Sequence, residues 1–308
     1  MSFFLEVLIG GLLAGIMYSL VALGFVLIYK ASGVFNFAQG AMVFFAALTF
    51  VGAQEKLGFP IWAALIFSLI LMIILGVLTE KVVLRPLVNQ PPISLFMVTI
   101  GLTFFVEGLA QLMWGTKVYP LELGIPDEPI AITLTRWGLN TDAVPNVLKE
   151  INSFDLIAAI VAGTLVAALA IFFQITRVGR ALRAVADDHQ AALSVGIPLK
   201  TIWAIVWSVA GFVALVAGLM WGARNGVQFA LVFVALKALP VLILGGFDSV
   251  PGAIVGGLII GALEKLAEVY IGPYFGGGIE IWFAYVAALL FLLVRPEGLF
   301  GEKQIDRV

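Results

Sequence analysis

An all-α integral membrane protein is predicted, a polytopic bundle of about 8–9 transmembrane helices within one domain spanning 1–308. Three observations predict it. Of 308 residues, 62% are apolar and 12% charged, against roughly 45–50% and 25% in soluble chains. Mean hydropathy is +1.12. Charge-poor runs of membrane-crossing length, roughly 20 residues at 1.5 Å each, recur along the chain. Absences narrow the chemistry. With no Cys and a single His, His189, there is no Cys/His zinc site, haem ligation, thiol nucleophile or disulfide framework to consider. His189 reads as a structural or solvated loop residue. A net charge of −2 without a basic arm argues against nucleic acid as a partner.

Nine segments are predicted in order, at about 7–29, 33–53, 57–79, 93–113, 156–176, 201–223, 227–246, 249–270 and 278–295. The first six qualify by length. The seventh carries Lys237, and the last two hold 15 and 14 residues between charges, Ser249 to Leu263 and Ile281 to Val294. Eight crossings with one re-entrant piece therefore stay open beside nine. The start, Met1-Ser2-Phe3-Phe4-Leu5-Glu6, has no basic region, so the first span is expected to stay in place rather than act as a cleaved signal. Placing the N-terminus outside and the C-terminus in the cytoplasm puts ten of the 17 basic residues on the cytoplasmic side, as the positive-inside rule requires. The long outer loop, 116–153, carries five acids against Lys117, Arg136 and Lys149. Its prolines and the β-prone run Ile130 to Thr135 predict a small surface hairpin.

The 33 glycines, about 11% against a usual ~7%, fall into two sets. Gly11/Gly15, Gly252/Gly256 and Gly257/Gly261 have the small-xxx-small spacing that lets helices approach closely in lipid. The second set lies in two windows, 33–43 and 245–255, which align without gaps at five identities in eleven. Gly33 matches Gly245, Gly40 matches Gly252, and Asn36 faces Asp248. Broken helices are predicted near 33–40 and 245–252, where Gly33, Asn36, Phe37, Gln39, Gly40, Gly245, Gly246 and Asp248 would line a substrate pathway. Interfacial turns with glycine caps are the other reading.

Lys237 near the middle of a span costs roughly 2.5–3.5 kcal/mol on insertion scales. Glu107, in the fourth span, lies at similar depth by residue count. Glu107 and Lys237 join the candidate pathway residues: either the two pair, or Lys237 faces a cavity and an anionic substrate group, or it snorkels. Between the fifth and sixth spans, 177–197 places Val178, Leu182, Val185, Ala192 and Val195 near helical period, with Arg183 and Asp187 as an i,i+4 pair and Gly196 as terminator. This predicts a short amphipathic helix on the cytoplasmic face, suited to docking a partner, or an ordinary solvated loop.

These residues resemble the permeases of ATP-binding-cassette importers for branched-chain amino acids, in particular the first of their two permease subunits. The resemblance lies in Gly24-x-x-x-Ile28-Tyr29 leading to Gly33-Val34-x-Asn36-Phe37-Ala38-Gln39-Gly40, and in Gly179-Arg180-Ala181-x-Arg183-Ala184-Val185-Ala186 continuing to Ala191-Ala192 and Gly196-Ile197. It continues in Leu236-Lys237-Ala238 with Leu244-Gly245-Gly246, and in Arg295-Pro296-x-Gly298-Leu299-Phe300-Gly301. Where the family has Glu-Ala-Ala, this chain has Gln190-Ala191-Ala192, one charge fewer. The resemblance implies a second, homologous permease subunit, two cytoplasmic ATPases and an extracytoplasmic solute-binding protein. It implies alternating access in a bacterial or archaeal inner membrane, with Gly179, Arg180, Arg183, Ala184, Asp187, Ala191, Ala192 and Gly196 coupling to the ATPases and loop 116–153 contacting the binding protein. No cofactor is expected on this chain, which has no G-x-x-x-x-G-K-[ST] loop; ATP and magnesium would be used by the partners. Urea or a short amide is the alternative cargo. An ion-coupled secondary transporter using Glu107, Lys237 and Asp248 is the next reading. A membrane enzyme ranks last, since no paired carboxylates, HExxH or Ser/His set is present.

Overall fold

A computed structural model describes residues 2–87, 90–126, 128, 152–187 and 189–301. All its regular elements are helical. In order they are α1 (Ser2–Ser32), α2 (Gln39–Leu57), α3 (Ile61–Leu78), α4 (Pro92–Trp114), α5 (Ser153–Ile175), α6 (Arg177–Asp187), α7 (His189–Ser194), α8 (Leu199–Asn225), α9 (Val234–Gly245), α10 (Val250–Tyr270) and α11 (Glu280–Val294). Short 3₁₀ turns at Phe229–Phe233 and Gly272–Phe275 lead towards α9 and α11. Each of the nine predicted segments contains a helix. Six stretches are long and apolar enough to cross a membrane, while Phe229–Gly245 and Glu280–Val294 are shorter apolar helices. The hairpin expected within 116–153 falls largely on residues outside the described set.

Two helices form the centre. On α1, every residue from Leu20 to Ile28 is buried, and α1 packs on α5, α8, α9 and α10. On α2, every residue from Gln39 to Ala53 is buried, enclosed by α3, α4, α8 and the Phe229–Phe233 turn. A helix apolar all round belongs inside a bundle, and these two occupy that place. The outer helices are one-sided. α3 turns Ala64, Ser68, Met72, Leu75 and Gly76 inward and leaves Trp62, Ile66, Ile70 and Ile74 at least half exposed or nearly so, as a lipid-facing helix does.

The small-residue spacing does what the sequence analysis expects. A Cβ on Gly11 would lie 2.6 Å from the Gly261 carbonyl oxygen, and one on Gly15 would strike the Gly257 carbonyl, so α1 and α10 run antiparallel at backbone contact. Gly252 and Gly256 form the other edge of α10, against Gly245 and Val241 of α9. One helix thus carries two glycine seams, which place α9, α10 and α1 side by side.

Both predicted breaks are present, at 33–38 and 246–249, but they differ. After Gly33, in the left-handed region at φ +66°, the chain doubles back in extended form, so that the Gln39 side chain lies against Gly24. Gly24 precedes the end of α1 by eight residues, about 12 Å of helix, so α2 starts inside the bundle. The 246–249 break instead lies at the end of the bundle. Gly246 (φ +106°) packs against Gly301, and the tail supplies the donors that the end of α9 lacks: Leu299 N–H to Leu244 O at 2.8 Å and Phe300 N–H to Gly245 O at 3.1 Å. The two breaks meet edge to face through Phe35 and Phe247, 5.9 Å apart.

Candidate functional site

The first group of polar residues surrounds Lys237. Its position follows from α9 lying between α1, α10 and α11. The Lys237 Nζ lies 3.4 Å from Glu264 Oε1 and 3.5 Å from Glu280 Oε1. Lys265 Nζ holds the other Glu280 oxygen at 3.1 Å. The Tyr18 hydroxyl donates to Glu264 at 2.9 Å, and its ring stacks on Trp221 with centroids 5.4 Å apart. Glu268 is committed elsewhere, accepting from the N–H groups of Gly278 and Glu280 at 2.7 and 2.9 Å, where the α11 N-terminus favours negative charge. Two lysines therefore balance two glutamates in a low-dielectric setting that tolerates neither sign alone.

This corrects the expected Glu107–Lys237 pair. Glu107 is buried but has no ion-pair or hydrogen-bond partner among the described residues. Lys237 instead meets the acids of the next two helices, because adjacent antiparallel helices bring Glu264 and Glu280 to it before α4 can reach. Depth counting identifies residues at the same level but not on the same side. Tyr18, Glu264, Lys265 and Glu280 were missed; the available signal was that both acids bound the two shortest apolar runs.

Next to Lys237, Pro240 sits inside α9. A proline has no N–H for the carbonyl four residues back, which here is Leu236 O. The Tyr285 hydroxyl of α11 donates to that oxygen at 2.6 Å, so the vacancy becomes an interhelical bond.

The second group is the 33–38 break. Asn36 Oδ1 accepts from Ala38 N–H at 3.1 Å, and its amide donates to Gln39 Oε1 at 3.3 Å. Thr99 Oγ1 of α4 donates to Phe35 O at 3.1 Å. Phe37 packs on Phe96 at 4.9 Å. Asn36 and Gln39 are fully buried. Asn36 is thus spent on its own turn, whereas Gln39 Nε2 has no partner among the described residues. Gly40 lets α2 touch the Val232 carbonyl.

The third group lies where α6 meets the bundle. Thr176 Oγ1 caps α6 at Gly179 N–H, 3.1 Å. A Cβ on Gly179 would strike Phe173 O. Arg183 donates to Phe173 O at 2.7 Å and to Gln174 O at 3.3 Å, and Arg180 to Ile175 O at 3.1 Å. These are the open carbonyls of the α5 C-terminus. The expected Arg183–Asp187 pair lies outside the described side chains. Leu182, Val185 and Ala192 are buried, in line with the amphipathic pattern. Helix is described on both sides of residue 188, as α6 and α7, and Gly196 ends it at φ +83°. Val195, expected on the apolar face, is 76% exposed, and Leu193 is 55% exposed, because both fall at the close of α7. A cavity of about 210 Å³ joins α6 to the second break, lined by Lys30, Gly179, Arg183, Asp248, Ser249 and Phe300 among others. Lys30 Nζ donates to Asp248 O at 3.1 Å across it.

LivH of Salmonella typhimurium (strain LT2), a high-affinity branched-chain amino acid transport system permease protein, is 27% identical over 99% of this chain and 98% of its own. BraD of Pseudomonas aeruginosa, described in the same words, is 27% identical over the same shares. A solved chain of PsaBC from Streptococcus pneumoniae in complex with Fab aligns over 92% of this chain and 89% of its own, at 16% identity and a TM-score of 0.45. Residues 7–295 match the family model for the permease component of the branched-chain amino acid transport system, and the chain belongs to that family.

Proposed function

We propose that the chain is the membrane permease of an ATP-driven importer for branched-chain amino acids. It forms the passage with a second, homologous permease, receives cargo from an extracytoplasmic solute-binding protein and is moved by two cytoplasmic ATPases, which use ATP and magnesium. The observation that carries the mechanism is the joint between α6, the 246–249 break and the tail. Arg180 and Arg183 hold α6 to the end of α5, and the Lys30–Asp248 contact holds the break to α1. Because α6 also packs on α1, a push on α6 and α7 can reach the turn that Lys30 ties to α1, as alternating access requires. The exposed Leu193 and Val195 are the apolar contact offered to the ATPase.

This arrangement has 8–9 crossings, with the N-terminus outside and the α6 end in the cytoplasm of a bacterial or archaeal inner membrane. The pathway residues are Gly33, Phe37, Gln39, Gly40, Lys237, Gly245, Gly246 and Asp248, with Asn36 shaping the first break. Copurification of the four partner types, and leucine uptake by the reconstituted assembly only with ATP, tests it. Uptake of urea or a short amide without leucine would replace the cargo. One observation favours an ion-coupled secondary transporter, Glu107, buried and without a partner among the described residues. Gradient-driven uptake by this chain alone in liposomes, lost in Glu107→Gln, would establish that second reading and sink the first.

A further inference from the structure

The ion pairs at Lys237 are long, 3.4 and 3.5 Å, whereas Arg85 grips Glu80 at 2.7 Å. The side chains of Lys237 and Glu280 are 29% and 28% exposed, while Glu264 is 3% exposed. Charges left open between apolar helices do not face lipid; they face water, a passage or another polar surface. N-terminal to Lys237 in the same segment, Phe233 and Phe229 are 53% and 47% exposed and packed edge to face at 5.7 Å. Behind Lys237, Trp221 is 6% exposed, stacks on Tyr18 and has no partner for its indole N–H among the described residues.

We propose that Lys237 and Glu280 form a binding station for a zwitterionic amino acid with an apolar side chain. The α-carboxylate takes Lys237, the α-ammonium takes Glu280, and the side chain lies on Phe233 and Phe229. The exchange replaces the two resident contacts of Lys237, to Glu264 and Glu280, by two pairs to a neutral ligand, so the net charge of the site is unchanged. Glu264 does not lose its last donor, because Tyr18 holds it at 2.9 Å while the lysine turns. Lys265, at 3.1 Å, holds Glu280 in place. This station deepens the branched-chain amino acid reading and rests on it.

The chain has no cysteine, so Leu236→Cys, at an exposed position next to Lys237, introduces a single thiol on this subunit without touching the charges or the two phenylalanines. The assembled transporter in nanodiscs is treated with a cationic methanethiosulfonate, and the labelling rate of this subunit is read by mass spectrometry. Leucine at about 10 mM, ten times a millimolar Kd, is expected to slow labelling about tenfold. Leucinamide, which lacks the carboxylate, should not slow it, and Lys237→Met should abolish the leucine effect. Ile281→Cys, exposed and next to Glu280, serves if the first variant does not assemble. Absence of labelling at both positions, labelling indifferent to leucine, or protection that survives Lys237→Met overturns the station and leaves the cluster as a structural lock between helices. Leucine uptake by the unmodified transporter is measured in parallel. Uptake without protection refutes the station alone, and no leucine uptake refutes the cargo as well.

Discussion

Gly10 and Gly11 are neighbours in the sequence, and alanine at the two positions is expected to act in opposite directions. A Cβ on Gly11 would lie 2.6 Å from Gly261 O and 2.9 Å from the Ala262 Cα, whereas ordinary contacts are about 3.5 Å or more. Both atoms belong to helix backbone, so α1 and α10 must part by about 1 Å. Such overpacking costs about 1–3 kcal/mol, offset by up to about 1 kcal/mol from the better helix propensity of alanine. The same separation stretches the Tyr18–Glu264 bond of 2.9 Å, seven residues further along the same seam, and a bond to a charged group contributes about 1.5–3 kcal/mol. A net loss of about 2 kcal/mol follows for Gly11→Ala, roughly a 30-fold shift in the folding equilibrium. At Gly10 nothing lies within 4 Å, and Gly10→Ala should gain a few tenths to about 1 kcal/mol. Both are measured by reversible SDS unfolding in dodecyl maltoside micelles, followed by tryptophan fluorescence. If Gly11→Ala is as stable as the parent within about 0.5 kcal/mol, the seam between α1 and α10 is not at backbone contact and the reasoning fails.

Other perturbations test the remaining joints. Tyr285→Phe strands the Leu236 carbonyl opposite Pro240 and should lower stability by about 1–3 kcal/mol in the same assay; Pro240→Ala in that background restores the helical N–H and should recover most of the loss. Gly179→Ala is expected to displace α6 from Phe173 and reduce transport-coupled ATP hydrolysis in the assembled importer more than it reduces assembly; unchanged coupling would contradict the lever. Leu193→Ser with Val195→Ser should weaken ATPase copurification while leaving the unfolding midpoint of the isolated chain within about 0.5 kcal/mol. Glu264→Gln leaves Lys237 with one acid, and transport should fall in this variant while Glu107→Gln, which breaks no pair, leaves it near the parental rate.

Much of the fold was legible because lipid makes sequence simple to read: every span must be long, apolar and internally hydrogen-bonded. The segments, the glycine seams and both helix breaks follow from that. The site was legible only in pieces. Lys237 stands out in any apolar run, yet its partners depend on which helices adjoin it. The 33–43 and 245–255 windows look alike, yet one enters the bundle and the other is capped by the tail. Arg180 and Arg183 read as charges offered to a partner, yet both bond the carbonyls at the end of α5, a geometry set by how sharply Gly179 lets the chain turn.

By itself, then, the sequence determined the class of solvent around this chain, the places where its helices run and stop, and the family motifs at those stops. Only the tertiary structure decided that Lys237 answers to Glu264 and Glu280 rather than Glu107, and that Gly11 is crowded while Gly10 is free. The reason is physical. Hydropathy and helical period are properties of a segment, but the cost of a buried charge or an added methyl depends on what the neighbouring helix places within a few ångströms of it.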